Sequence, residues 1–183
     1  YKTAPLGHLR EGLSSLIDAD TICFTKVDQI DNTQFDKLLN FLKPYLKRNV
    51  AIARCTYAPT KICSIDDSES FRLSDLRGKK VSSLTALASP ESFDQSLLSL
   101  GAQIVTSKVF RDHHYFQKNE LESILAEAKE SDAIIMTTKK DIVKLKSITQ
   151  DSLVNYLDIE IEFLSGQKEL EQQLHKLLKL DSI

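Results

Sequence analysis

The sequence predicts an α/β protein built in two pieces, and three observations carry that prediction. Short β-branched, apolar runs such as 20–25 and 133–136 alternate with stretches whose leucines recur at helical spacing. A strand, a helix and a further strand follow one another in each piece, an order that implies parallel pairing through a crossover helix. Between about 57 and 78 the apolar material thins to Ile62, Ile65 and Phe71 while serines and acids collect, which marks a connection with room for one or two short strands.

Pro5 and Gly7 first read as turn formers. Leu9, Leu13 and Leu16-Ile17 then predict an amphipathic helix over about 8–18. Residues 20–25 suit a buried strand. Asn32 or Thr33 can cap a helix that carries Phe35, Leu38-Leu39, Leu42 and Leu46 on one stripe. Residues 49–56 alternate toward a second strand. After the thin segment, Arg77-Gly78-Lys79-Lys80 is a turn into a strand at 81–84. Ser89 and Pro90 read as N-cap and first residue of a helix to about 100. Gly101 closes it in the position that favours a left-handed conformation. A strand follows at 103–105, a helix over 121–128, and a buried strand at 133–136 that ends on two threonines. Ile142, Val143 and Leu145 mark a short helix. Ile159, Ile161 and Phe163 alternate with acids, the period of a strand with one wet face. Gly166 separates it from a last helix carrying Leu170, Leu174 and Leu177-Leu178.

Bulk composition narrows the function. A 42% hydrophobic, 27% charged chain of 183 residues is ordinary for a globular protein. Its net charge of −2 gives no reason to expect nucleic acid as a partner. No apolar run reaches the roughly 18–20 residues of a bilayer-spanning helix, and no leader pattern is present. Cys23, Cys55 and Cys63 are odd in number and spread out, so buried or half-buried thiols are expected rather than disulfides, in a reducing, cytosolic compartment. Cys55 and Cys63 lack a second close pair and no histidine stands near either, so a zinc site is not expected there. Tyr1 stands where a native start would carry Met, so the sequence is expected to be a piece of a longer protein.

In open α/β sheets ligands bind beyond the carboxyl ends of the strands. Three segments qualify: Thr25-Lys26-Val27-Asp28, Asp112-His113-His114, and Thr137 to Asp141. The first and the last (Thr138-Lys139-Lys140-Asp141) each match the Thr-Lys-x-Asp pattern with which GTPases hold guanine. Two copies in one chain show how cheaply three fixed residues arise, and no Gly-x-x-x-x-Gly-Lys-Ser/Thr loop accompanies them. A polar strand end with an exposed lysine is the competing reading. Asp112-His113-His114 is more specific, since an imidazole with an ordinary pKa near 6.5 moves protons at neutral pH. Adjacent side chains do not readily bond each other, so the partner carboxylate is expected from elsewhere. A pair of surface histidines in a loop and a metal site are the alternatives. His8 and His175 are expected on solvated helix faces.

Five segments in order resemble the tetraacyldisaccharide 4'-kinases of lipid A synthesis. Phe110-Arg111-Asp112-His113-His114 and Thr137-Thr138-Lys139-Lys140-Asp141-Ile142-Val143-Lys144 are the more specific pair. Gly7-His8-Leu9-Arg10-Glu11, Leu76-Arg77-Gly78-Lys79-Lys80-Val81 and Ala88-Ser89-Pro90-Glu91-Ser92-Phe93 are similar to further family segments. The sequence departs from the family at Thr85-Ala86-Leu87, where a Gly is usual, at Lys139 in place of Glu, and at His8 in place of Pro.

The resemblance implies a three-layer Rossmann-like C-terminal domain over 79–183, preceded by the last βα elements of a P-loop NTPase-like domain over 1–56 and a linker over 57–78. It implies phosphoryl transfer from ATP, with Mg²⁺, to the 4'-hydroxyl of a lipid A disaccharide precursor. His113 would handle the proton with an Asp of the N-terminal domain, Asp112 would support it, and His114 would be dispensable. Arg10, Glu11, Thr137, Thr138, Lys140 and Asp141 would bind substrate or support the site. The parent would work peripherally on the cytoplasmic face of the bacterial inner membrane, meeting the membrane surface through its N-terminal part. This chain, without a phosphate loop, is expected to bind MgATP weakly and to be inactive alone. The competing class is a non-catalytic Rossmann-like module that binds a nucleotide or a protein.

Overall fold

The computed structural model describes residues 2–4 and 7–178. The chain divides into two compact units: an inserted unit, Ala58–Glu160, and an interrupted unit made of Tyr1–Tyr57 and Ile161–Ile183. Pro5, expected in a turn, lies outside the described residues.

The inserted unit is a mixed sheet with helices on both faces. Its strands are the second half of β2 (Ala51–Ser64), β3 (Ser70–Phe71), β4 (Lys80–Thr85), β5 (Gln103–Val109), β6 (Ile134–Thr138) and the first half of β7 (Val154–Ser165). The order is β2-β7-β6-β4-β5, with β3 antiparallel on β2. β4 pairs parallel with both β5 and β6, and β6 with β7.

Helices α2 (Pro90–Ser99), α3 (Lys118–Glu130) and α4 (Lys139–Leu145) cover that sheet. Leu84, Ile135 and Val154 meet α3 and α4 through Leu121, Ile124, Ile142 and Leu145. Val81 and Met136 meet α2 on the opposite face through Phe93 and Leu97. Neighbouring strand residues point to opposite faces, and here both faces are covered. The short strands are therefore continuously apolar or small, as the uninterrupted burial of 81–86 shows. Gly101 ends α2 with φ +86°, the conformation its sequence position predicts.

In the interrupted unit β1 (Thr21–Phe24) runs parallel to β2, Thr21 opposite Ala51. Helix α1 (Asn32–Leu42) is capped by Asp31, whose carboxylate takes the Gln34 N–H at 2.7 Å while the Gln34 side chain returns to the Asp31 N–H. Phe35 from α1 is buried between Phe24, edge-on at 5.1 Å, and the Arg54 guanidinium at 4.1 Å. Helix α5 (Gln167–Leu178) follows Gly166, where φ is +78° and a Cβ would stand 2.1 Å from the Ile52 carbonyl oxygen. Only glycine fits that approach.

Five expectations change. The helix over 8–18 is a 3-10 helix, Leu13–Asp18, entered through Gly12 without a side-chain cap. Before it, the Ala4 N–H donates to the Leu9 carbonyl at 2.8 Å, so His8 sits in a bend instead of on a helix. The connection over 57–78, where one or two short strands are expected, carries the second half of the long strand β2, the short β3 and a 3-10 turn, Leu73–Leu76. Thr60 and Ile62 are strand formers whose alternation is masked by Pro59 before them and the serine- and acid-rich run that begins at Ser64. The turn after β2 is pinned by Asp67, which accepts the Tyr156 hydroxyl at 2.7 Å and the Lys146 ammonium. In β7 it is residues 154–158 that are buried, whereas Ile159 and Ile161 of the alternating stretch are exposed. Finally, Cys23 is exposed while Cys55 and Cys63 are buried.

Candidate active site

Strands β4 and β6 are neighbours, yet the chain leaves β4 toward β5 on one side and β6 toward β7 on the other. The crevice beyond their carboxyl ends is the switch point at which doubly wound sheets bind ligands. Three backbone and side-chain bonds tie the loops together there. The Phe110 N–H donates to the Thr85 carbonyl at 2.8 Å. The Ala86 N–H donates to Asp141 Oδ2 at 3.0 Å. Lys140 Nζ donates to Asp112 Oδ1 at 3.0 Å.

The last bond joins the two motifs that the sequence singled out, 28 residues apart. Asp112 also accepts the His113 N–H at 3.0 Å, and its second oxygen lies 3.8 Å from His113 Nε2. That spacing is beyond a hydrogen bond but close enough for a charge to be felt. The Lys140 ammonium, chiefly, holds the Asp112 carboxyl below its ordinary value, with His113 adding to the effect. Asp112 therefore stays ionised beside an imidazole whose side chain is 76% exposed.

His113 has φ +64°, a left-handed conformation that a branchless glycine adopts freely and a histidine does not. The turn is closed by the His114 N–H donating to the Arg111 carbonyl at 2.9 Å. His114 serves the turn from inside. Its ring stacks on Phe110 at 4.6 Å, meets Phe116 edge-on at 5.4 Å, and bonds Glu120 at 3.0 Å. Glu120 also takes the Gln117 N–H at 2.8 Å, closing a capping box at the start of α3. With His114 anchored and His113 forced outward, the two neighbours have separate jobs. Glu120 was not singled out from sequence, although Gln117-x-x-Glu120 is a recognisable capping spacing.

The second motif is mostly spent internally. Thr137 Oγ1 donates to the Leu84 carbonyl at 2.6 Å and locks β6 to β4. Thr138 caps α4: its Oγ1 accepts the Asp141 N–H at 3.1 Å and donates to Asp141 Oδ2 at 3.0 Å. Asp141, 0% exposed, is paired through Oδ1 with Lys144 at 3.0 Å. Lys139 turns to Asp158 at 2.8 Å, which raises the lysine's pKa. Of the predicted residues the structure thus gathers Asp112, His113 and Lys140 at one exposed point and places Thr137, Thr138 and Asp141 beneath it as framework. Arg10 and Glu11 lie in the interrupted unit, both exposed.

The two Thr-Lys-x-Asp copies do not behave alike. Asp141 is enclosed and has no surface to offer a base. Asp28 accepts the Thr56 hydroxyl, and Lys26 before it has φ +58°. Among the described residues no group of three or more His, Cys, Asp or Glu could hold a metal ion.

The model of the LpxK family, tetraacyldisaccharide-1-P 4'-kinase, matches residues 1–179. The tetraacyldisaccharide 4'-kinase of Chlorobaculum tepidum is 32% identical over 181 residues, spanning 96% of this chain and 49% of the relative. The enzyme of the same name from Anaeromyxobacter sp. is 31% identical over 175 residues, spanning 95% and 47%. The chain therefore spans about half the length of the curated relatives it matches. Among solved structures, the crystal structure of LpxK from Aquifex aeolicus in complex with ATP aligns with a TM-score of 0.62 at 19% identity, over 96% of this chain and 48% of that one. That last likeness is one of fold.

Proposed function

Because the chain belongs to the tetraacyldisaccharide-1-P 4'-kinase family, we propose that it is the C-terminal part of an ATP-dependent kinase of lipid A synthesis. The reaction is transfer of a phosphoryl group to the 4'-hydroxyl of a tetraacyldisaccharide 1-phosphate. The observation that carries the reading is the exposed His113 ring, beside an Asp112 that Lys140 keeps ionised. Residues 1–56 are taken as the end of a P-loop NTPase-like domain and 79–183 as the C-terminal α/β part, the last stretch of which, 161–183, belongs to the same compact unit as the first residues.

Phosphoryl transfer asks chiefly for positioning, charge neutralisation and a group that accepts the hydroxyl proton. His113 Nε2 is that acceptor. The nearby Asp112 carboxylate stabilises the imidazolium that forms, and Lys140 fixes the carboxylate in place. The His113 ring is exposed and so open to a substrate arriving from outside.

ATP and Mg²⁺ do not fit the residues present. The sequence has no Gly-rich phosphate loop, and the described residues include no acidic cluster for a cation. We therefore place the phosphate cradle, the Asp that pairs with His113 and the membrane-contacting segment in parts of the enzyme outside this chain. The working location is then the cytoplasmic face of the bacterial inner membrane. No described helix is long and apolar enough to cross a membrane.

In a full-length enzyme carrying this segment, His113→Ala lowers kcat roughly a hundred- to ten-thousand-fold, while His114→Gln stays within a few-fold. Equal losses from both would reduce the motif to a structural role. Calorimetry of this chain with MgATP is expected to show no micromolar binding, and finding it would refute the placement of the cradle.

A further inference from the structure

The phosphoryl-transfer reading makes no use of Cys23 and Cys55. Strands β1 and β2 run parallel with Cys23 opposite Ala53. Residues two apart on a strand share a face, so Ala53 and Cys55 stand on the face that carries Cys23. Ala53 offers only a methyl group there, and the Cys23 sulfur leans past it to within 3.5 Å of the Cys55 sulfur. Cys55 is buried and Cys23 is exposed, so the pair is a dithiol with one open side.

Two chemistries suit a pair of thiols, and the register decides between them. A disulfide needs its Cα atoms within about 7 Å. Here the partner is offset by two residues along the strand and by one strand across the sheet, which puts the Cα atoms roughly 8 Å apart. The bond could close only if the backbone moved. A thiophilic ion asks for something else. With metal–thiolate bonds of about 2.3 Å and tetrahedral angles, two ligating sulfurs stand about 3.8 Å apart. The observed separation of 3.5 Å needs an adjustment of only a few tenths of an ångström.

We propose that Cys23 and Cys55 form a two-thiolate chelating site for a soft divalent ion of the zinc group. Each ion bound forms two metal–sulfur bonds, breaks two S–H bonds and releases two protons to solvent. No third His, Cys, Asp or Glu joins the pair among the described residues. The remaining coordination positions thus fall to water or to small thiols on the open side of Cys23. Binding ties β1 to β2 two residues before the segment at 25–28.

The test uses the full chain, with Cd²⁺ as the probe. Titration is expected to produce a near-ultraviolet thiolate-to-metal band that saturates at one ion per chain. The band is retained in Cys63→Ser and lost in Cys23→Ser. Because Cys23 is exposed, its replacement leaves the fold intact, which circular dichroism checks. Cys55→Ala, smaller than the native side chain, should also abolish the band. A band that persists in Cys23→Ser, or that disappears with Cys63→Ser, would overturn the assignment, as would the absence of a saturable band in the native chain.

Discussion

Replacing Asp141 by Ala should destabilise the protein far more than replacing an ordinary residue of a helix's first turn. The carboxylate is fully enclosed and serves the Ala86 N–H, the Thr138 hydroxyl and the Lys144 ammonium, all at 3.0 Å. Truncation leaves a buried backbone donor unpaired, worth about 1–3 kcal/mol. It also strands an ammonium whose side chain is only 18% exposed. Breaking a buried pair from one side in this way costs about 3–5 kcal/mol in all. Were Asp141 only an acid near a helix N-terminus, the loss would be about 0.3–1 kcal/mol. Urea unfolding followed by circular dichroism separates the two cases. Asp141→Asn should fall between them, since its amide meets either Ala86 or Lys144 with the wrong hydrogens. Adding Lys144→Met to Asp141→Ala should recover part of the loss, a coupling of about 0.5–3 kcal/mol. A loss below about 1 kcal/mol for Asp141→Ala would refute the claim that this residue is framework.

Two further outcomes follow from the loop above it. A left-handed histidine costs roughly 1–2 kcal/mol, and a glycine's freedom when unfolded offsets part of that. His113→Gly should therefore raise stability by up to about 1 kcal/mol, measured by urea unfolding. Destabilisation instead would mean that the ring makes contacts the structure does not show. Lys140→Met should return the Asp112 carboxyl toward its ordinary titration range, read by carbon-13 NMR; an unmoved midpoint would show that Lys140 does not control it. Asp112 has a lowered pKa in the folded protein, so its contribution is present above the ordinary carboxylate range and lost as pH falls through the lowered value. The stability gap between the native chain and Lys140→Met should close over that acid window.

Much of the fold was legible because burial leaves a period in the sequence. Phe35 and Leu42 on α1, Ile124 and Ala128 on α3, and Gly101 after α2 all stand where pattern and turn chemistry put them. Sequence and structure part where a pattern had two solutions. Leu9 to Ile17 keep helical spacing, but Gly12 and the absence of a cap leave only a 3-10 turn. The alternation at 158–163 marks a strand correctly and its buried portion wrongly, since residues 154–158 supply the packing. The site was legible in its residues and not in its division of labour. No local rule announces that Lys140 will reach Asp112, or that one of two adjacent histidines will turn inward onto Phe110. Those outcomes depend on how three loops meet beyond strands that lie far apart in the sequence.

The interrupted unit has a consequence for how the protein is made. Its first piece ends at Tyr57 and its second begins at Ile161. A ribosome that has finished the first must add the whole inserted unit before it reaches the second, an interval on the order of 5–20 s. During that time α1 and β1 exist without the strand end and helix α5 that complete their unit, whereas the inserted unit is contiguous and can fold as it emerges. Order of synthesis and order of folding are thus opposed: the part made first is finished last. A stop codon near Gly166 would then act on residues made before the whole inserted unit, and truncated chains should show a folded inserted unit flanked by an unfinished first piece.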